Sequence, residues 1–306
     1  MDHPPRVAII GVTGFIGRGL PALLAQAGIA CTGISRSGAG EVPGVDRWQT
    51  ADALDLSGHS AVINLAGEPI DQRWNDRNRT LFHESRIGVT RRIVEALREL
   101  PAGQRPAVLV NASAVGIYGD RGDEVLDESA APGSGYLADL CREWEDAANE
   151  ARSLGVRVVT PRIGIVLGRG GAAFQKLLLV FKTGLGGKLG SGRQWMPWIH
   201  LDDLRAALIH AVRTETLEGP VNCSAPTPVR NLDFTRQLAA ALHRPAIFAV
   251  PGIALKVVLG GFGSALLAGQ NTRPAALQAS GFRFIHPTLE SALTELLGEP
   301  PVAKST

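Results

Sequence analysis

The sequence predicts an α/β protein, a doubly wound parallel sheet with a smaller second domain toward the C-terminus. Three observations carry that expectation. Short apolar runs alternate with helix-length amphipathic segments through the first half of the 306 residues, the pattern of a parallel sheet covered by helices on both faces. The first of these runs passes directly into a glycine-spaced turn, V-A-I-I-G-V-T-G-F-I-G from Val7 to Gly17. Residues suited to ligand binding, Gly11, Ser35-Arg36, Ala66-Gly67, Ser113 and Arg162, fall at the carboxyl ends of the runs, where an open α/β sheet places its ligands.

In chain order, Arg6–Ile10 reads as the first strand and Phe15–Ala27 as the helix it feeds. Between them Gly11 makes the sharp turn, Gly14 lets backbone approach a pyrophosphate, and Gly17 lets the helix pack on the sheet. The helix N-terminus then faces the phosphates, with Thr13, Phe15 and Ile16 completing the cofactor turn. Ala30–Ser35 is the second strand, and it ends in Ser35-Arg36 where an NAD-selective site usually carries an acid. The planar fork of Arg36 and the hydroxyl of Ser35 suit a 2′-phosphate, so NADP(H) is expected over NAD(H). A strand over Ala61–Leu65 exits through Leu65, Ala66 and Gly67, small enough to let backbone pass close to the adenine ribose and pyrophosphate. A helix over Ile87–Leu100, a strand over Ala107–Asn111, a helix over Ala138–Leu154 and a strand over Val156–Arg162 follow, with Arg162 at the cofactor edge.

Beyond Arg162 the alternation loosens into the glycine-rich stretch Gly184–Gly192, then Trp195–Ile199, a helix near Asp202–Arg213 and a strand near Pro220–Cys223. Residues 1–165 are therefore assigned to an NADP(H)-binding domain completed by about 193–225, and residues 166–192 and 226–306 to a smaller substrate-side domain. Pro300–Thr306 reads as a loose tail.

Composition narrows the functional classes. A net charge of +2 is too small to imply a nucleic-acid or acidic-membrane partner. Three cysteines, Cys31, Cys141 and Cys223, are odd in number, far apart and without metal-ligand spacing, which predicts free thiols in a reducing compartment and no metal. The N-terminus lacks a secretory pattern, and the apolar stretch Ile247–Gly269 is broken by Pro251, Lys256 and glycines. A cytoplasmic monomer or homodimer acting on a small molecule, with no membrane partner, is expected. Gly187-Lys188 lacks the rest of a triphosphate-binding loop.

The segments Gly11–Gly17, Asn64–Gly67, Ser113–Gly119, Pro161–Gly168 and Trp198–Asp203 occur in the order found in sugar-nucleotide epimerases and dehydratases. On these motifs the chain resembles the extended branch of the short-chain dehydrogenase/reductase (SDR) superfamily over nearly its whole length. It is similar in particular to an atypical subgroup described as epimerase family proteins, mostly of unsettled substrate and in some cases carrying a cell-division label. The segments that carry this closer likeness are Asn64–Ile70, Arg73-Trp74, Glu84-Ser85-Arg86, Leu140-Cys141, Trp144-Glu145, Gly190–Gln194 and Ala225–Val229. The resemblance implies a Rossmann fold of the extended type. It also implies catalysis by a tyrosine with a lysine four residues on, aided by a serine from the preceding strand.

That dyad is incomplete here: Tyr136 opens the expected helix, Leu140 occupies the lysine place, and no lysine precedes Lys176. A lone tyrosine titrates near ~10 and Asp139, one turn away, would raise it, so Tyr136 is expected to act as a neutral acid. Ser113 is the matching serine, or a structural hydroxyl, since counting back from Tyr118-Gly119 slips the match to Ala114. Tyr118 either stacks near the nicotinamide or closes a turn. Cys141 reads as a packed thiol and His200 as a side chain that orients local backbone. Glu68, Arg73, Trp74, Arg86, Arg193 and Trp195 are expected to converge over the nicotinamide as the substrate side. Two functions stand at this point. One is an NADP(H)-dependent oxidoreductase or epimerase acting on a small carbonyl or sugar-like substrate, favoured by that dressed pocket. The other is an NADPH-binding sensor without turnover, favoured by the lysine-free N-terminal half.

Overall fold

Alternation within one strand decides the architecture. In β1 (Arg6–Ile10), Val7 and Ile9 face one core while Ala8 and Ile10 face the other, so both faces of the sheet require cover. The computed structural model describes residues 5–298; the tail segment Pro300–Thr306 lies outside them. The further strands of the sheet are β2 (Ala30–Ser35), β3 (Arg47–Thr50), β4 (Ala61–Asn64), β5 (Val108–Asn111), β6 (Arg157–Ile163) and β7 (Gly219–Cys223). They lie in the order β7-β6-β5-β4-β1-β2-β3, all parallel, with the short strand Ser113–Ala114 pairing beside β6. The order reverses between β1 and β4, which opens the crevice in which such sheets bind ligands.

Helices α1 (Leu20–Gln26), α2 (Asp76–His83), α3 (Val89–Glu99), α4 (Tyr136–Asn149), α5 (Ala172–Lys182) and α6 (Leu201–Arg213) accompany the sheet. Leu20 and Leu24 of α1 and Leu204 and Leu208 of α6 cover the Val7/Ile9 face; Ile93, Val94 and Leu97 of α3 and Ala148 of α4 cover the Ala8/Ile10 face. Each fully buried aliphatic side chain contributes roughly 1.5–3 kcal/mol.

The first helix starts at Leu20, after a 3-10 turn at Gly17–Gly19, rather than at Phe15, α5 had no sequence counterpart, and further elements differ from the sequence expectation. β3 is an edge strand of four partly exposed residues, R-W-Q-T, too short and too polar to show a period. The helix expected from Ile87 begins earlier, at an Asn75 cap whose side chain accepts from the Asn78 amide at 2.9 Å. α2 then runs through a π-helical turn, Glu84–Gly88, into α3. Only Phe82 of α2 is buried, so α2 carries almost no apolar stripe.

The C-terminal half adds α7 (Asn231–Ala241), α8 (Gly252–Leu259), α9 (Gly261–Leu267), α10 (Ala275–Ala279) and α11 (Leu289–Leu297). A second core joins Phe174, Leu178 and Phe181 of α5 to Phe234 and Leu238 of α7 and Leu289, Leu293 and Leu296 of α11. Within the segment assigned to the smaller domain, Leu277 of α10 packs into the first core, with Phe282 and Phe284 against it, so the chain returns to the sheet before α11. Among the described residues no helix is long and apolar enough to cross a membrane.

Candidate functional site

At the end of β1, Gly11 adopts φ +80°, in the left-handed region that favours glycine. A Cβ at Gly11 would press on the Leu65 carbonyl and the Ala66 nitrogen at 3.0–3.1 Å, because the turn touches the β4 exit across the reversal point. A Cβ at Gly17 would collide with the Gly11 carbonyl oxygen, so the close approach is to the turn itself. Gly14 faces outward: among the described residues a Cβ there would meet only the Gly11 oxygen, at 3.1 Å. The Gly14 amide donates to Gly11 and the Arg18 amide to Gly14, both at 3.0 Å, which rounds the turn and leaves Thr13 and Gly14 exposed.

Two side chains hold this turn from outside. The Phe15 ring seats on the backbone at Gly168 and Gly171. Arg205 of α6 donates to the Phe15 and Ile16 carbonyls, each at 3.0 Å. At the β2 exit the Ser35 hydroxyl donates to the Ala39 carbonyl at 3.0 Å. Arg36 is exposed and makes no hydrogen bond or ion pair among the described residues.

The β4 exit is set by a buried polar cluster. Asn64 accepts from the Ala66 amide at 3.1 Å and donates to Asn111 at 2.7 Å and to Thr90 at 3.2 Å; the Trp144 indole donates to Thr90 at 3.0 Å. The π-helical turn supports the next residues: the Glu68 amide donates to Ser85 at 2.9 Å and Arg86 donates to the Glu68 carbonyl at 3.0 Å. π-helical turns recur at functional positions, and this one holds Leu65–Glu68 against the glycine turn.

Tyr136 opens α4 as expected, with its ring 5.2 Å from Trp74 and the Arg79 guanidinium 4.7 Å from its centroid. Its hydroxyl is buried and has no hydrogen-bond partner among the described residues. Tyr136, Arg79, His83 and Leu140 line a cavity of about 320 Å³. Leu140 packs with Phe82, Ile87 and Trp144, so the lysine place is filled by apolar packing. Burial pushes the Tyr136 phenol above its ordinary value, opposed by Arg79 and Arg86 and reinforced by Glu143. The charge on the same helix is thus Glu143 rather than Asp139, which pairs with Arg142. The Cys141 thiol of the same helix, buried among Val115, Ile117, Tyr118 and Leu126, is pushed up to about 12 and is inert at neutral pH. Arg79 was not expected at the site, because its placement depends on α2.

Three expected site residues lie elsewhere, in a buried polar seam behind the sheet exits. Ser113 donates to Glu145 at 2.6 Å, and Arg162 clasps the same carboxylate with two bonds of 2.9 Å. Arg162 also donates to the Tyr118 hydroxyl at 2.9 Å, and that hydroxyl donates to Asn222 at 2.7 Å. All four side chains, Ser113, Tyr118, Glu145 and Arg162, are nearly inaccessible. Arg162, expected at the cofactor edge, and Tyr118, expected on the substrate side, thus spend their polar atoms within this seam, and the Ser113 hydroxyl is committed to Glu145. A buried arginine must be neutralised, and Glu145, one helix turn from Cys141, does so.

The expected substrate residues also fail to form one cluster. Trp74, Arg86 and Glu68 surround the Tyr136 side, Trp74 donating to Ile70 at 2.9 Å and lying on the backbone at Gly261. Arg73 is exposed, and its carbonyl accepts from Asn78 at 2.7 Å. Arg193 lines a separate cavity of about 610 Å³ with Asp120, Asp123, Gln194 and Arg230. Beside it the Trp195 indole donates to Asp123 at 2.9 Å, while Arg230 stacks 4.5 Å from a Trp195 ring and pairs with Asp123. Trp195 therefore organises that cavity's wall. His200 caps α6 by accepting from the Asp202 amide at 3.2 Å, the backbone-orienting part expected of it.

Comparison with known proteins now bears on this geometry. A model of the NAD dependent epimerase/dehydratase family matches residues 7–223, and one for a domain of unknown function matches residues 250–296. The chain is 38% identical over 304 residues to the chloroplastic epimerase family protein SDR39U1 homolog of Arabidopsis thaliana, covering 95% of this chain and 86% of the relative. It is 39% identical to an epimerase family protein of Mycobacterium bovis, covering 94% and 96%. The crystal structure of human epimerase family protein SDR39U1 with NADPH superposes with a TM-score of 0.88 at 35% identity, covering 96% of this chain and 100% of that one. The glycine turn, the parallel sheet and these matches lead to one conclusion: the chain belongs to the NAD dependent epimerase/dehydratase family.

Proposed function

We propose that the protein binds NADP(H) across the Gly11–Gly17 turn and reduces, or transiently oxidises and reduces, a small carbonyl or sugar-like substrate, with Tyr136 as the proton-carrying group. The residues present fit that cofactor. The outer face of Gly14 is open to a pyrophosphate, Gly11 stands against Leu65 and Ala66, and Arg36 holds an uncommitted guanidinium at the β2 exit. Thr13, Ile16 and Gly67 complete the lining, while Ser35 shapes the loop that carries Arg36. The human relative was crystallised with NADPH, in line with this reading.

When bound, the cofactor supplies a hydride. The Tyr136 hydroxyl, buried and unpartnered, supplies the proton to the substrate oxygen. It starts as the neutral phenol, because burial holds it protonated at neutral pH. Arg79 and Arg86 then lower the cost of the phenolate that donation leaves behind, so two arginines in space stand in for the missing lysine. Glu68, Arg73, Trp74 and Arg86 orient the substrate on the Tyr136 side, with Arg193 on the other cavity. We place this activity in the cytoplasm, in a monomer or homodimer whose partner is a small molecule rather than nucleic acid or membrane.

The observation that carries the catalytic reading is the unpartnered Tyr136 hydroxyl. A second reading, an NADPH-occupied sensor without turnover, draws on Leu140 in the lysine place. Calorimetry with NADPH and NADH, followed by bound-NADPH fluorescence against sugar nucleotides, quinones and small aldehydes, separates the two. Substrate-dependent loss of fluorescence that Tyr136→Phe reduces by about 10²–10⁴-fold supports the enzyme. Tight binding with no oxidation by any of the panel favours the sensor, and turnover unchanged in Tyr136→Phe removes the tyrosine from the chemistry.

A further inference from the structure

We propose that His200, Asp202 and His286 form a three-ligand site for a divalent transition-metal cation of the zinc class, tying the start of α6 to the loop that precedes α11. One donor atom from each residue lies within 4.8 Å of the others. The His200 and His286 rings are 4.0 Å apart between centroids, and Asp202 Oδ2 is 3.9 Å from His200 Nδ1. Ligands about 2.0–2.2 Å from a tetrahedral zinc ion are separated from one another by roughly 3.3–3.5 Å, so closure needs only small movements. Asp202 is half exposed, and the oxygen it turns away from His200 lies 3.8 Å from Arg205, so Oδ2 is the one offered to the ion.

The surroundings are built as metal sites are built. His200 Nε2 lies 3.0 Å from Glu295 Oε2, so the ring donates there and its Nδ1 lone pair is left on the Asp202 side. A ligating histidine backed by a carboxylate on its other nitrogen is the usual outer arrangement of zinc sites. Glu295 is itself steadied by Arg169 at 3.7 Å. The loop carrying His286 is pinned by buried Asp203, which accepts from the Ile285 and His286 amides at 2.6 and 3.0 Å. His200 Nδ1 now accepts the 3.2 Å capping bond from the Asp202 amide, and the ion takes over that lone pair. Two imidazoles and one carboxylate select zinc, cobalt or nickel over calcium and magnesium, and a water completes the fourth position.

The test uses the full chain, stripped with chelator and titrated with Co²⁺ and with Zn²⁺ by calorimetry, visible absorption and X-ray absorption. One equivalent of cobalt with an intense low-symmetry d–d band, a nitrogen/oxygen shell containing two imidazoles, and a rise in Tm with zinc are expected. His286→Ala and Asp202→Asn should each weaken binding by more than about tenfold, and Glu295→Gln by about tenfold. Absence of a stoichiometric site, a sulfur-containing shell, or affinity unchanged in both ligand variants overturns the proposal. The spectra of the unmodified chain decide the matter even if a variant fails to fold.

Discussion

Tyr118 and Tyr136 are the chain's two tyrosines, and they sit in regions that treat a phenol in opposite ways. Tyr118 lies in the seam beneath the sheet exits, where its hydroxyl accepts from Arg162 and donates to Asn222. Tyr136 lies at the mouth of α4, where its hydroxyl is buried with no partner among the described residues. Arginines divide in the same way: Arg162 spends its donors on Glu145 and Tyr118, whereas Arg36 spends none among the described residues. A polar group that the fold has satisfied is part of the scaffold. One that the fold has left open is available to a ligand, since burial without a partner costs about 1–3 kcal/mol that binding recovers.

Substitutions can break this contrast or sharpen it. The largest effect is expected for Glu145→Gln, which strands a buried guanidinium and should cost about 3–5 kcal/mol of stability by urea unfolding; a loss under about 1 kcal/mol would show that Arg162 is not held by the seam. Arg36→Glu should weaken NADPH by about 10- to 100-fold, equivalent to about 1.5–3 kcal/mol for a charge-assisted contact, with NADH little affected; equal losses in calorimetry remove the 2′-phosphate argument. Tyr118→Phe leaves Arg162 and Asn222 short of a partner and should lower stability by about 1–3 kcal/mol. Tyr136→Phe removes a hydroxyl with no hydrogen-bond partner among the described residues, so its stability should stay within about 0.5 kcal/mol of the parent. Equal thermal shifts for the two tyrosine variants would erase the distinction between the regions.

The legible part of the site was the part made of backbone. Gly11, Gly14 and Gly17 follow an apolar strand at fixed spacing, and the reasons for glycine there are local sterics, which depend on a few consecutive residues. Arg36 was legible for a related reason, since it directly follows the strand whose end defines its place. Arg205 was not, because the carbonyls it holds at Phe15 and Ile16 are 190 and 189 residues away in the chain. Arg79 was missed because its helix has only one buried residue and so no period to read. Ser113 and Arg162 stand at strand ends, where the sequence places a ligand, yet Glu145 of α4 bonds to both, and Arg162 in turn bonds to Tyr118.

Order along the chain therefore establishes the sheet, its glycine turn and the place of Arg36 at the β2 exit, because each follows from periodicity or from neighbours a few bonds apart. Which polar side chains are left free to meet a ligand is settled only when distant elements pack. The desolvation and pairing of Arg162, Tyr118 and Ser113, and the isolation of the Tyr136 hydroxyl, are properties of groups brought together from α2, α4, β6 and β7. Their energies depend on burial and distance, and neither quantity is written in the spacing of a motif.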